Sequence, residues 1–93
     1  MKLYLVDSLQ IINGNEIRSY HGCYKKKKKA AKMIRDLLSS DLQHFDILRI
    51  FTCVHIYGMR IPEIKEIMEE GYIQYERFDK STCIYNILEF EVE

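Results

Sequence analysis

The sequence predicts an α+β domain, a two-layer sandwich with two helices on one face of a mostly antiparallel sheet. Three observations lead to this prediction. Strand-like segments occur in pairs joined by short turns, two other segments carry apolar residues at helical spacing, and the order along the chain is β-β-α-β-α-β-β. Helices that follow strands in this order usually pack on one side of the sheet. The 93 residues are enough for a single domain, 1–93.

The chain begins with a predicted hairpin. Residues 2–12, KLYLVDSLQII, are rich in strand-forming side chains and end at Asn13-Gly14. Asn-Gly tolerates the two positive φ angles of a tight hairpin turn. A second strand, from Glu16 to about Tyr20, is therefore expected to fold back on the first.

The first helix is predicted from about Tyr24 to Ser39. Its apolar side chains fall on one stripe, formed by Ala30, Ile34, Leu37 and Leu38. Its cationic side chains lie opposite this stripe and are Lys25, Lys28, Lys29, Lys32 and Arg35. The helix is therefore expected to pack on the sheet through one face and to present a basic face to solvent.

Residues 45–57, FDILRIFTCVHIY, are predicted to form one strand that is apolar on both faces. Such a strand is usually central in its sheet or lies against a partner. With both helices on one side, the other face is expected to expose aromatic, Cys and His residues, namely Phe51, Cys53, His55 and Tyr57. An exposed face of this kind favours a homodimer or another protein partner.

A short second helix is predicted after Pro62, which suits a first helical position, and Gly71 suits the cap beyond its end. Its buried stripe is expected to contain Ile64, Ile67 and Met68. Two further strands, YIQYERFD and STCIYNILEFEVE, then meet at the predicted hairpin turn 79–81.

Composition points to a cytoplasmic protein without a membrane partner. No apolar run approaches the ~18 residues needed to cross a bilayer. Asp7 interrupts the first residues too early for the core of a signal peptide. The three cysteines are odd in number and scattered, which does not suggest a disulfide framework and fits a reducing compartment.

Charge is unevenly distributed although the net charge is zero. Residues 1–40 contain nine Lys/Arg and three Asp/Glu, a net charge of +6, and residues 41–93 contain five and eleven, a net charge of −6. Such a division permits a basic face for phosphates, an acidic face for a partner's basic groove, or head-to-tail self-association. It does not choose among them.

The run Lys25–Lys29 is the first candidate for a binding surface. Cations are unfavourable at a helix start, and like charges at i,i+4 repel, so an anionic partner would relieve the strain. We predict phosphate or partner contacts from Lys25, Lys26, Lys28, Lys29, Lys32 and Arg35. The run contains no arginine, so phosphate contact would be independent of base sequence. A solvated helix face remains the open alternative.

Tyr20 and Tyr24 flank the lysine run, and Tyr4 is expected nearby across the first hairpin. Aromatic rings beside lysines could stack the bases of a single strand. The alternative is that these tyrosines cover a sheet edge.

The second helix supplies the acidic candidates for partner binding, which are Glu63, Glu66, Glu69 and Glu70. An array of carboxylates could imitate the phosphates of a nucleic acid and occupy the basic groove of an enzyme. The alternative is a surface kept soluble by charge.

Two His/Cys pairs at i,i+2 spacing raise the question of zinc. His21 with Cys23, and Cys53 with His55, would each project from one face of a strand. If the two strands were neighbours, the four side chains would form an acceptable Cys2His2 set. Cys53 lies in an apolar segment, however, and no orienting third residue or oxyanion loop accompanies a Cys–His nucleophile. We predict no enzyme, no metal and no cofactor.

These observations favour a small non-enzymatic binding protein that acts by occupying a macromolecular partner. The predicted partner is a host nucleic-acid-handling complex, a nuclease or defence complex, blocked as a phage-type inhibitor blocks it. The alternative is direct, sequence-independent nucleic-acid binding through the lysine-rich helix. A second alternative is a zinc- or cysteine-dependent enzyme.

Overall fold

A computed structural model describes all residues, 1–93, and confirms the predicted α+β fold class. The elements are β1 (Lys2–Ile12), β2 (Asn15–Tyr24), α1 (Lys27–His44), β3 (Ile47–Phe51), β4 (Ile56–Gly58), α2 (Ile64–Glu70), β5 (Tyr72–Arg77) and β6 (Thr82–Glu91). The strands form one antiparallel sheet in the order β2-β1-β6-β5-β3-β4. Neither helix combines the length and the apolarity that crossing a bilayer requires.

Both predicted hairpins form. Asn13 and Gly14 have φ angles of 52° and 78°, as the tight turn between β1 and β2 requires. The β5–β6 turn contains Lys80 at φ 71°, and Asp79 Oδ1 accepts a hydrogen bond of 2.9 Å from the backbone N–H of Ser81. Strand β2 runs beyond the predicted end at Tyr20, through a bulge at Gly22, so α1 begins later than predicted.

The prediction of one strand over residues 45–57 is wrong, because the segment folds into two short strands. Thr52 Oγ1 accepts hydrogen bonds from the backbone N–H groups of Val54 and His55, at 3.3 and 3.1 Å. A hydroxyl that bonds nearby backbone groups stabilises a turn in place of a continued strand. Strand β4 is consequently an edge of the sheet, and β3 lies next to it rather than at the centre.

The core lies between the helices and one face of the sheet. The buried helix residues include the predicted Ala30, Ile34 and Leu38, and Ile67 of α2 packs with them. Opposite them lie buried side chains of four strands, which include Val6, Ile50, Ile73, Tyr75, Cys83, Tyr85 and Ile87. The burial of apolar area in this layer is the main term that stabilises the fold.

The face of the sheet away from the helices carries a mainly aliphatic patch on β1 and β6, which we call the aliphatic face. Its apolar cross-strand pairs come from β1 and β6 and are Leu3–Phe90, Leu5–Leu88 and Leu9–Ile84. Of the residues predicted to dominate this face, only Phe51 lies on it, paired with Gln74. Cys53 and His55 belong to the β3–β4 turn, and Tyr57 is buried in the core. The prediction failed because it assumed that the alternation continues through the turn.

Candidate nucleic-acid interface

The lysine run lies at the junction between β2 and α1. Lys25 and Lys26 form the link, and Lys27, Lys28 and Lys29 make the first turn of the helix. Lys26 occupies the N-cap position without a side-chain hydrogen bond, and no acidic residue lies in the first turn. The positive end of the helix dipole therefore coincides with the run of positive side chains, and no acidic group in the first turn offsets either.

Four of these lysines form a free cationic surface, which we call the lysine patch: Lys25, Lys26, Lys28 and Lys29. All four side chains are exposed, and none has a carboxylate oxygen within 4.0 Å. Lys27 is half-buried. The lysine patch is thus a set of charges that the fold does not neutralise.

The two remaining basic candidates have partners within the protein. Lys32 Nζ lies 3.3 Å from a carboxylate oxygen of Asp36, one turn along α1. Arg35 Nε donates a hydrogen bond of 3.1 Å to the backbone oxygen of Pro62, and its Nη2 lies 3.7 Å from Glu63. Arg35 therefore fastens α1 to the start of α2, whereas Lys32 stays on the same surface as the patch.

A cleft of about 410 Å³ opens beside the lysine patch. It is lined by Tyr24 at the end of β2 and by Lys29, Lys32, Met33 and Asp36 on α1. Tyr24 pairs with Tyr4 across the hairpin, as the sequence suggested, and both rings pack against the helix-side core. Tyr20 pairs instead with Asp7 and is 65% exposed. Only one of the two flanking tyrosines therefore belongs to the cationic side.

A larger cleft, of about 490 Å³, lies between the tips of the two hairpins. Its charged lining consists of Asp79 and Lys80, which have opposite charges, and it contains no aromatic ring. It is therefore less suited to a polyanion than the surface around the lysine patch.

The acidic candidates on α2 are mostly engaged inside the protein. Glu66 accepts two hydrogen bonds from Arg60, at 2.9 and 3.1 Å, and one from the backbone of Glu63, at 3.0 Å. These bonds, with that from Arg60 foremost, lower the pKa of Glu66 to about 2. Glu70 lies 2.5 Å from His55 Nδ1, and Glu63 lies near Arg35. Glu69 alone has no ion-pair partner.

The structure does not bring the four His and Cys candidates together. His21 and Cys23 lie on β2 at one edge of the sheet, whereas Cys53 and His55 lie in the turn beside β4 at the other. His21 Nε2 is 2.8 Å from Ser8 Oγ instead. No three His, Cys, Asp or Glu side chains are grouped so that they could hold a metal ion. The Cys2His2 arrangement is not formed, because its two halves are not on neighbouring strands.

No family model matches this chain. No curated protein and no solved structure matches it either. The strongest combination of features in the fold is the lysine patch with the adjoining Tyr24 cleft. Sequence patterns pointed to both the lysines and Tyr24. The contribution of Met33 and Asp36 had no sequence signal, because it depends on how α1 lies against the end of β2.

Proposed function

We propose that this chain is a non-enzymatic binding protein that contacts the phosphate backbone of a nucleic acid through the lysine patch. One observation carries the proposal: four exposed lysines without acidic partners surround an uncapped helix start. The candidate acids of α2, by contrast, are largely paired within the fold. The basic surface is therefore the one whose charge remains available to a partner.

Phosphate binding would relieve three unfavourable terms at once. The lysines repel one another, they stand at the positive end of the helix dipole, and the first backbone N–H groups of α1 lack a side-chain cap. A phosphate oxygen accepts hydrogen bonds from both lysine and backbone N–H groups. Lysine contacts phosphate as a point charge and does not read bases bidentately, so binding is independent of sequence.

A second candidate function is the phage-type inhibitor that occupies a nucleic-acid-handling protein complex. The aliphatic face formed by β1 and β6 supports it, since a surface such as Leu5–Leu88 and Leu9–Ile84 suits a protein partner or a second copy of the chain. The cysteine-dependent enzyme has less support. Burial raises the pKa of the Cys83 thiol to about 11, whereas a nucleophile needs a lowered pKa. Free thiols at exposed Cys23 and Cys53 suit the cytoplasm, where we place the protein.

Binding of fluorescently labelled DNA and RNA, measured by anisotropy, tests the phosphate contact. Four lysine–phosphate contacts with a single strand give a slope of log K against log salt of about −2.8. The affinity should therefore fall roughly 50-fold between about 50 and about 200 mM salt. Undetectable binding at the lower salt concentration would contradict the proposal.

Two charge reversals provide a matched comparison. Lys28 and Lys65 are each the second residue of a helix, in α1 and α2 respectively, and both are exposed. We expect Lys28→Glu to weaken binding and to reduce the salt slope by about 0.7. Lys65→Glu should leave both unchanged. A glutamate in the first turn favours the helix, so Lys28→Glu should stay folded. Equal losses in the two variants would show that net charge, and not the lysine patch, governs binding.

The inhibitor hypothesis predicts a different result for the Lys28→Glu variant. A protein partner held through the aliphatic face should be retained after nuclease treatment and by Lys28→Glu. Substitution of Leu88 by Glu should release it, because the charge would be buried at the interface. Retention that disappears with nuclease supports the phosphate contact instead.

A further inference from the structure

We propose that the Tyr24 cleft holds one unstacked base of a single-stranded nucleic acid, stacked on the Tyr24 ring. This inference rests on the proposed phosphate contact at the lysine patch and adds the class of nucleic acid. It requires three properties of the cleft: a fixed aromatic surface, space for a base, and a cation placed for the adjoining phosphate. The structure contains all three.

The Tyr24 ring is held in place from two sides. Its hydroxyl donates a hydrogen bond of 3.0 Å to the backbone oxygen of His21. The ring also lies against Gly22, where a Cβ atom would stand 2.7 Å from the Tyr24 hydroxyl oxygen. Gly22 has a φ of 114°, so this position in the β2 bulge favours glycine for its backbone as well. The ring is consequently ordered before a ligand arrives, which reduces the entropy lost on binding.

The opposite wall is one stripe of α1. Lys29, Met33 and Asp36 recur at helical spacing and face the same cleft as Tyr24. Met33 offers an adaptable apolar contact for a ring. The Asp36 carboxylate is offset by Lys32 at 3.3 Å, so it does not leave an unpaired negative charge in the cleft. A volume of about 410 Å³ lies within the range of small-ligand sites.

Lys29 belongs both to the lysine patch and to the cleft. A strand whose phosphates follow the lysine patch therefore brings a base to the mouth of the cleft. In a duplex the bases are paired and stacked inside the helix, so none could enter without flipping out. Single strands carry free bases that stack on protein aromatic rings whatever their sequence. The geometry therefore selects single strands over duplexes.

The experiment compares three ligands of equal phosphate number at one salt concentration: a single-stranded oligonucleotide, a duplex, and a strand of abasic sites. The protein variants are Tyr24→Leu, Tyr24→Phe and Tyr20→Leu. Tyr20 is the matched control, because it lies on the same strand but outside the cleft. Circular dichroism establishes that each variant is folded.

We expect the native protein to bind the single strand roughly 5- to 150-fold more tightly than the abasic strand, by the usual size of one aromatic–base stack. Tyr24→Leu should remove this difference, and Tyr24→Phe and Tyr20→Leu should keep it. In a Tyr24→Trp variant, which would contain the only tryptophan, the single strand should quench the fluorescence.

Equal affinities of the native protein for the normal and abasic strands would overturn the stacking inference and leave the phosphate contact intact. The same conclusion would follow if Tyr24→Leu behaved like Tyr20→Leu. Absence of binding to all three ligands would instead overturn the proposed function itself. The two failures are therefore distinguishable.

Discussion

Arg18 forms an ion pair with Asp7, whose side chain is completely buried although it lies on the face of the sheet that no helix covers. Arg18 belongs to the edge strand β2 and keeps about half of its side chain exposed, 48%. The other carboxylate oxygen of Asp7, Oδ1, has no hydrogen-bond partner. A single residue of an edge strand therefore compensates a buried charge.

Replacing Arg18 with alanine is expected to lower the free energy of unfolding by about 2–3 kcal/mol. Breaking a fully buried pair costs about 3–5 kcal/mol, and the exposure of Arg18 reduces that figure. The Arg49→Ala variant is the control, because its pair with Glu76 is longer, at 3.8 Å, and involves a half-buried rather than a buried carboxylate. It should cost less than about 1 kcal/mol. Urea unfolding measures the free energy of unfolding of both variants. Equal losses of stability in the two would refute the role assigned to Asp7.

The buried hydroxyl and thiol groups predict a loss of stability at alkaline pH. Tyr75 donates a hydrogen bond of 2.9 Å to Asp41 Oδ2, Tyr85 donates one to the same oxygen, and Cys83 lies beside them. Burial is the largest cause that raises the pKa of both tyrosines above the ordinary value of 10.0. Burial also raises the pKa of Cys83 from 9.0 to about 11. Each group is neutral when protonated, so the folded state holds these protons more tightly than the unfolded state.

The contribution of these three groups to stability is therefore complete below about pH 9. It is lost as the pH rises through their pKa values in the folded state, which for Cys83 is about 11. Urea midpoints measured across this range should fall above about pH 9. Of the seven tyrosines, Tyr75 and Tyr85 should ionise only with unfolding, as followed by tyrosinate absorbance. The Cys83→Ala variant should retain the tyrosine behaviour. Ionisation of all seven tyrosines in the folded protein would contradict this prediction.

Acidification should lower the stability of the fold through the protonation of Glu66. Its depressed pKa means that its contribution to stability is present above the unfolded value of 4.5 and is lost as the pH falls through about 2. The Glu66→Gln variant removes the ionic bond to Arg60 and weakens the capping box of α2. We expect this variant to have a lower Tm than the native protein at neutral pH. On acidification, its Tm should fall by less than that of the native protein. The Glu69→Gln variant should match the native protein, since Glu69 has no ion-pair partner. NMR titration of Glu66 near its usual pKa would disprove the assignment.

Gly71 ends α2 at a φ of 78°, and a Cβ atom there would meet open space. The Gly71→Ala variant should therefore cost only the backbone strain, roughly 1 kcal/mol. The Gly71→Asn variant should cost less, because asparagine tolerates this conformation. Chemical unfolding checks both. Gly22→Ala should behave differently, since the added Cβ displaces the Tyr24 ring and should weaken single-strand binding as well.

The local elements were determined by the sequence itself. Asn13-Gly14 specifies its turn because the two residues tolerate positive φ without help from the rest of the chain. The stripe of α1 follows from helical spacing, and the charge of the lysine run follows from composition. Gly71 was recognisable as a cap for the same local reason.

Only the tertiary structure decided strand order and which charged groups stay free, whereas residues 45–57 are divided by a local interaction that periodicity does not report. The Thr52 hydroxyl turns the chain through hydrogen bonds that periodicity does not reveal. Glu70 meets His55 and Arg35 meets Pro62 across 15 and 27 positions of the chain. Such pairs form because packing brings distant segments together, whereas sequence patterns report the relation between a residue and its near neighbours. The Tyr24 cleft also depends on packing, although its residues are close in the chain, because it forms where α1 lies over the bulged end of β2.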